Sequence, residues 1–224
     1  MEIAGIVKNS FVDYPGNIAA TIFTCGCNMN CWYCHNRDLI TQQTGDYDEN
    51  KILDFLKERK GFLDAVVVTG GEPTLQTDLK EFVKKVKDMG YLVKLDTNGT
   101  NPEIVQELLN EKLLDYIAMD IKAPFHKYGY ITKIDNIEDV KKSVIIIKNS
   151  GVKYEFRTTF APTLSNDDIK QILVELNGCE VYSLQQYKQP SYITVQTKNH
   201  TKSDFEDIKE FSKPYVKTFN IKNI

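Results

Sequence analysis

Four of the chain's five cysteines, Cys25, Cys27, Cys31 and Cys34, fall within ten residues, in the stretch FTCGCNMNCWYCHN. Thiolates bind soft metals, and their spacing narrows the choice of site. Cys27, Cys31 and Cys34 form C-x3-C-x2-C, close enough for one loop to wrap an iron–sulfur cluster with three thiolates. Three ligands leave one iron open to bind and activate a small molecule, whereas a fully ligated cluster suits electron transfer or structure. Cys25 lies two residues before Cys27 in what reads as extended chain, where i and i+2 share a face. A zinc knuckle built from Cys25, Cys27, Cys31 and Cys34 therefore stands beside the iron–sulfur reading. The fifth cysteine, Cys179 in NGCEVY, reads as a buried structural thiol.

These residues need a scaffold, and the composition supplies one. The chain has 224 residues, 42% hydrophobic and 26% charged, enough to bury a substantial core as one domain. A formal net charge of −3 gives no electrostatic reason to expect a nucleic-acid partner. Lys-rich stretches such as KEFVKKVKD mix both signs at helical spacing and read as solvated helix faces. The amino terminus MEIAGIVKNSF carries no basic region followed by a long apolar run, and no stretch is long and apolar enough for a membrane span. The expected location is cytoplasmic, with no membrane partner. Thiols there are kept reduced, so clustered cysteines point to metal or chemistry rather than disulfides.

Hydrophobic periodicity alternates along the chain. Strands are predicted at IAATIFT (18–24), DAVVVTGGEP (64–73), YLVKLDTNG (91–99), DYIAMDIK (115–122), KYEFRTTF (153–160) and EVYSLQQY (180–187). Helices are predicted between them at 49–60, 77–89, 102–112, 137–149 and 165–176. Such βα repetition implies a parallel sheet with right-handed crossovers. About six units are too few for a closed eight-stranded barrel, so the expected fold is α/β, a partial (β/α)6 TIM-like barrel that is open laterally. Residues 1–190 would form the partial barrel. The tail 191–224, with a helix-like KSDFEDIKEFSK and an apolar YVKTFNI, would cap the same domain. In this architecture chemistry collects at the carboxyl ends of the strands. There lie the cysteine loop, Gly70-Gly71-Glu72-Pro73, Asp96-Thr97-Asn98-Gly99 and Asp120-Ile121-Lys122, four polar loops on one rim. A zinc knuckle has no need of the other three.

GCNMNCWYCHN resembles the cysteine signature of the radical S-adenosylmethionine (radical SAM) superfamily, and VTGGEPTLQ resembles its GGE motif. SFVDYPGNIAATIFTCGCNMNCWYCHN, LDTNGT, MDIKAP and FRTTFAPTL together resemble the glycyl-radical-enzyme activating enzymes, in particular the activating proteins of anaerobic ribonucleoside-triphosphate reductase. The matches span residues 10–164, with a weaker YSLQQYK extending them to about 188. The resemblance implies that Cys27, Cys31 and Cys34 ligate a [4Fe–4S] cluster whose fourth iron binds SAM. It places Tyr33 toward the adenine, and Gly70, Gly71 and Glu72 at the methionine amino group. Asp96, Asn98, Asp120 and Lys122 would line the SAM carboxylate and ribose, with a monovalent cation nearby, and Arg157 and Thr159 would add polar contacts. The implied reaction is reductive cleavage of SAM to a 5′-deoxyadenosyl radical that takes an α-hydrogen from a glycine of a partner enzyme. That partner would be the anaerobic ribonucleotide reductase, with flavodoxin or ferredoxin as reductant, in an oxygen-labile protein.

The chain also departs from the pattern. Cys25 is expected beside the cluster without ligating it, and LQQYK replaces a histidine-containing motif, leaving Lys188 or Tyr187 to substitute. A second cysteine cluster, and with it an auxiliary iron–sulfur domain, is absent from the sequence. His35 reads as a loop-positioning residue, and His126 and His200 as surface residues. Asp13, Pro15 and Gly16 have turn chemistry, at the substrate entrance in one reading. Phe11, Tyr14 and Trp32 are candidates for an apolar landing site at the mouth. Two other functions stay open: a radical SAM enzyme acting on a small molecule, such as a 7-carboxy-7-deazaguanine synthase-like protein, and a zinc-binding interaction module.

Overall fold

A computed structural model describes residues 1–134 and 136–223, so Ile224, the last residue of the expected tail, lies outside it. β-branched runs form the strands: β1 (Ile3–Ser10), β2 (Ala19–Thr24), β3 (Ala65–Gly70), β4 (Leu92–Thr97), β5 (Tyr116–Asp120), β6 (Lys153–Phe160), β7 (Cys179–Gln186) and β8 (Val216–Lys222). Helices α1 (Arg37–Thr41), α2 (Glu49–Glu58), α3 (Leu79–Asp88), α4 (Pro102–Asn110), α5 (Tyr128–Thr132), α6 (Glu138–Lys148), α7 (Asn166–Glu175) and α8 (Lys202–Ser212) occupy the connections. The strands form one sheet in sequential order, antiparallel only between β1 and β2.

One element lies outside the sequence expectation. Residues 3–10, for which the pattern set no element, form edge strand β1; their mixed burial lacks a clean two-residue alternation. In the tail, β8 pairs in parallel with β7 and α8 packs on α7. Its helix starts on a capping box, with Thr201 Oγ1 accepting from the Asp204 amide and the Asp204 carboxylate accepting from the Thr201 amide.

The two faces of the strands have different tasks. Ile22, Val66, Val68, Val93, Leu95, Ile117, Phe156, Tyr182 and Leu184 are fully buried in the principal core, with Leu56, Phe82, Val105, Ile147, Leu173 and Phe205 from the helices. Residues of opposite parity turn inward. Some of these are apolar: Ala19, Ala65, Val67, Tyr116 and Ala118 form a separate small cluster with Tyr14 of the β1–β2 connection. Toward the carboxyl ends they become Lys94, Asp96, Asp120, Glu155 and Arg157. The sheet curls enough for Lys222 on β8 to donate to Glu155 on β6 at 2.7 Å, and for Asp13, after β1, to line the same hollow. The result is a partial barrel with a polar interior and two free edges.

Candidate active site

Glycine allows the first two loops to touch. Gly71 N donates to Thr24 O at 3.0 Å and Glu72 N to Gly26 O at 2.8 Å. A Cβ on Gly71 would meet Gly26 O at 1.9 Å, and one on Gly70, whose φ is +118°, would meet Thr24 N at 2.3 Å. No other residue fits at this crossing without moving backbone. The cysteine loop is further tied down by Gly26 N to Leu39 O (2.8 Å) and Asn30 N to Thr132 O (2.9 Å). Asn98 Nδ2 donates to Asn28 Oδ1 at 2.9 Å and thus links the cysteine loop to the loop after β4.

Cys27, Cys31 and Cys34 line one cavity of about 280 Å³ at the carboxyl ends of the strands, together with Tyr33, Gly70, Gly71, Asp96, Asn98, Asp120, Lys122, Arg157 and Thr159. Burial pushes the Cys27 thiol up to about 11 and raises Cys31, so a cation is needed to stabilise their thiolates. The Met29 amide points at Cys27 Sγ, 3.4 Å away. Cys25 is turned elsewhere: it is buried, its Sγ faces Thr44 O at 3.4 Å, and it does not line this cavity. Three thiols around a shared cavity match the ligand number of an iron–sulfur cluster with one open iron. Tyr33 adds a buried hydroxyl with no partner among the described protein atoms, a polar atom left for a ligand. This donor set fits a [4Fe–4S] cluster with SAM beside it.

Five charges organise the opposite wall. Arg157 donates from Nη1 to Asp96 Oδ2 and from Nε to Asp120 Oδ1, each at 2.9 Å. Lys94 pairs with Asp96, and Lys122 Nζ reaches Asp120 Oδ2 at 3.1 Å. Burial opposes charge on both carboxyls, but Arg157 beside them, with Lys94 at Asp96 and Lys122 at Asp120, holds both below the usual carboxylate range. Of the five, Lys122 and Arg157 line the cavity with Asp96 and Asp120, two cations against two carboxylates, while Lys94 reaches Asp96 from the neighbouring hollow.

Glu72 lies behind the cavity. Its carboxylate is fully buried and absent from the cavity wall. Oε1 accepts from Thr74 N (3.1 Å), Thr74 Oγ1 (2.5 Å) and Thr97 Oγ1 (2.8 Å), and Oε2 from Asn98 N (2.6 Å). It clamps the loop after β3 to the loop after β4, while Gly70 and Gly71 are the part of the motif that faces the cavity. Lys188 and Tyr187 do not reach the cavity either: Lys188 is exposed, and Tyr187 is buried with its ring 5.8 Å from that of Trp32. Gln185 lines it instead, together with His35, Asn36 and Thr69. Strand alternation from Ser183 carries the signal for Gln185, but a glutamine does not stand out in LQQYK. His126 is exposed as expected, whereas His200 stacks on Phe160 and lies 3.2 Å from Ala161 O. Of the three aromatic candidates for the mouth, only Phe11 is exposed; Tyr14 packs on Tyr116, and Trp32 packs on Tyr33 and Tyr187.

Residues 21–176 match the family model of the radical SAM superfamily. The chain belongs to the radical SAM superfamily. It is 35% identical, over 99% of its own length and 96% of the relative's, to a Methanocaldococcus jannaschii protein described provisionally as a glycyl-radical enzyme activating enzyme. It is also 32% identical to the pyruvate formate-lyase-activating enzyme of Clostridium pasteurianum, over 76% of this chain and 74% of that one. Among solved structures, Streptococcus suis SuiB bound to S-adenosylmethionine superposes with a TM-score of 0.70 at 15% identity, over 88% of this chain and 48% of SuiB. The chain thus spans about half the length of SuiB, with which it shares the radical SAM fold.

Proposed function

We propose that this radical SAM enzyme is an activase that removes an α-hydrogen from one glycine of a partner enzyme, the anaerobic ribonucleoside-triphosphate reductase, and leaves a glycyl radical there. Cys27, Cys31 and Cys34 would hold a [4Fe–4S] cluster, and the wall from Gly70 to Arg157 would hold SAM. When bound, these two supply the hydrogen-abstracting chemistry after one-electron reduction by a carrier such as flavodoxin or ferredoxin. The protein's own tasks follow from its geometry. Lys122 and Arg157, the two cations lining the cavity, would meet the SAM carboxylate. Because Arg157 and the two lysines already neutralise Asp96 and Asp120, a monovalent cation would have to displace one of these pairs.

The observation that carries the protein-substrate reading is a second hollow of about 430 Å³, which meets the first cavity at Arg157 and Gln185. Each charged group of its lining has a partner: Lys94 pairs with Asp96, Arg157 with Asp96 and Asp120, Lys222 with Glu155, and Asp13 accepts from Thr21 Oγ1 at 2.7 Å. A peptide segment unbranched at glycine would fit such a hollow; exposed Val12 lines it, and exposed Phe11 precedes Val12 in the chain. The near full-length similarity to the provisionally described activating enzyme supports the same reading. Among the described residues no helix is long and apolar enough to cross a membrane, in keeping with a cytoplasmic site of action.

The partner is tested by mixing anaerobically reconstituted protein, SAM and a strong reductant with purified anaerobic ribonucleotide reductase or, separately, with pyruvate formate-lyase. A glycyl-radical EPR doublet is expected with the reductase and not with the lyase, and not with Cys31→Ala in either mixture. A doublet only with the lyase would overturn the partner and leave the activase; 5′-deoxyadenosine without a doublet in either would overturn the activase.

A further inference from the structure

The connection between β7 and α8, residues 188–200, has no regular secondary structure, yet it is pinned along its length. Gln189 is its internal anchor. Its Nε2 donates to Ile193 O at 2.7 Å and Val195 O at 3.3 Å, and its Oε1 accepts from Thr197 N at 3.1 Å and Thr197 Oγ1 at 2.9 Å. At the far end His200 stacks on Phe160. The turn so formed carries Tyr192 to the cysteine loop, about 160 residues earlier in the chain. The Tyr192 hydroxyl lies 2.7 Å from Cys34 O and 3.0 Å from Trp32 O, and its single proton is shared between the two carbonyls. The Arg37 guanidinium lies 5.5 Å from the centre of the tyrosine ring.

The cysteine loop needs such a restraint. From Cys31 to Asn36 it contains only turns, with Cys34 N to Cys31 O (3.1 Å) as its internal backbone bond. Its first half is tied to Leu39, Thr132 and the glycine crossing, but none of these bonds involves the Trp32 or Cys34 carbonyl. Those two groups are held from outside by Tyr192.

We propose that the 188–200 connection is a strap for the cluster and that Tyr192 is its positioning residue, fixing the Cys34 end of the loop so that the third thiolate stays in register with Cys27 and Cys31. This rests on a cluster being held by those three cysteines and not on the identity of the partner enzyme. Tyr192→Phe removes the hydroxyl and keeps the ring beside Arg37. In the reconstituted holoprotein, kept anaerobic and free of SAM and partner, iron release to a ferrous chelator is expected to be about tenfold faster than in wild type, on the scale of one or two lost hydrogen bonds. Gln189→Ala, which touches no atom of the cysteine loop, is expected to reproduce that increase because it lets the strap relax. Val195→Ala, at an exposed strap position, is expected to release iron at the wild-type rate. In the cluster-free chain, amide hydrogen exchange over residues 31–37 is expected to accelerate in Tyr192→Phe, with exchange over the β-strands unchanged. Wild-type iron release and wild-type exchange in Tyr192→Phe would overturn the strap and leave the glycine-abstraction reading intact.

Discussion

Glu72 shows how a motif residue can shape a cavity without lining it. Four donors from Thr74, Thr97 and Asn98 converge on a carboxylate with no exposed surface. Burial raises this carboxyl above its ordinary range, although the donors from Thr74, Asn98 and Thr97 pull the other way. Glu72→Gln would keep the shape but place an amide N–H₂ against donors, at a cost of about 1–3 kcal/mol for each donor left unpaired. The expected result is a melting temperature lowered by several degrees before any cluster or SAM is added, read by circular dichroism on the cluster-free chain. A Glu72 whose main role were to bind the SAM amino group would instead lose SAM affinity with an unchanged melting temperature. The cysteines and the charged ends of β4 to β6 were legible one by one, because their side-chain types are rare at strand ends. The role of Glu72 was not, because its partners come from two different loops. The Tyr192 contact was equally hidden, since it pairs a coil residue with backbone carbonyls.

At the scale of elements, alternation within each strand decides what the barrel does. Outward positions of β2 to β7 are aliphatic or aromatic and bind the helices; inward positions pass from alanine and valine to charge. The six central strands were readable from β-branched runs ending in glycine or aspartate. β1 was not, because as an edge strand it shows only a fragmentary pattern, and the pairing of β8 depends on a neighbour rather than on its own residues. The crossing of the β2 and β3 loops is the tightest joint between elements. In Gly71→Ala the new methyl would stand 1.9 Å from Gly26 O, a backbone atom beside Cys27. The substituted chain is expected to fold around its outer core, lose the 2.8 Å bond from Glu72 N to Gly26 O, and retain less than a tenth of the wild-type iron after reconstitution and desalting. Iron content by colorimetric assay checks this; wild-type loading would show that the two loops can separate without harm.

At the scale of the whole molecule, a polar network runs through the barrel where a closed barrel would have branched aliphatics. Its stability has a definite pH dependence. Asp96 and Asp120 have folded-state values below the unfolded ones, so their contribution is fully present above the ordinary carboxylate range and is lost as pH falls through the lowered folded values. Arg157→Ala would leave both carboxylates with less compensation, at a cost of about 3–5 kcal/mol. Acid unfolding followed by tryptophan fluorescence is therefore expected to begin at a higher pH in Arg157→Ala than in wild type; identical midpoints would show that the network carries no net stability. The hollow enclosed by this network is also what the proposed glycine must enter, so fold and substrate class meet at Arg157 and Gln185.

The most direct test of that meeting follows one atom. Anaerobic ribonucleotide reductase labelled with α-dideuterated glycine would be mixed with reduced, reconstituted protein and SAM, and the 5′-deoxyadenosine analysed by mass spectrometry. The account predicts one deuterium in 5′-deoxyadenosine, formed only when the partner is present, with a correspondingly narrowed glycyl-radical signal. Unlabelled 5′-deoxyadenosine, formed at the same rate with or without the partner, would contradict it.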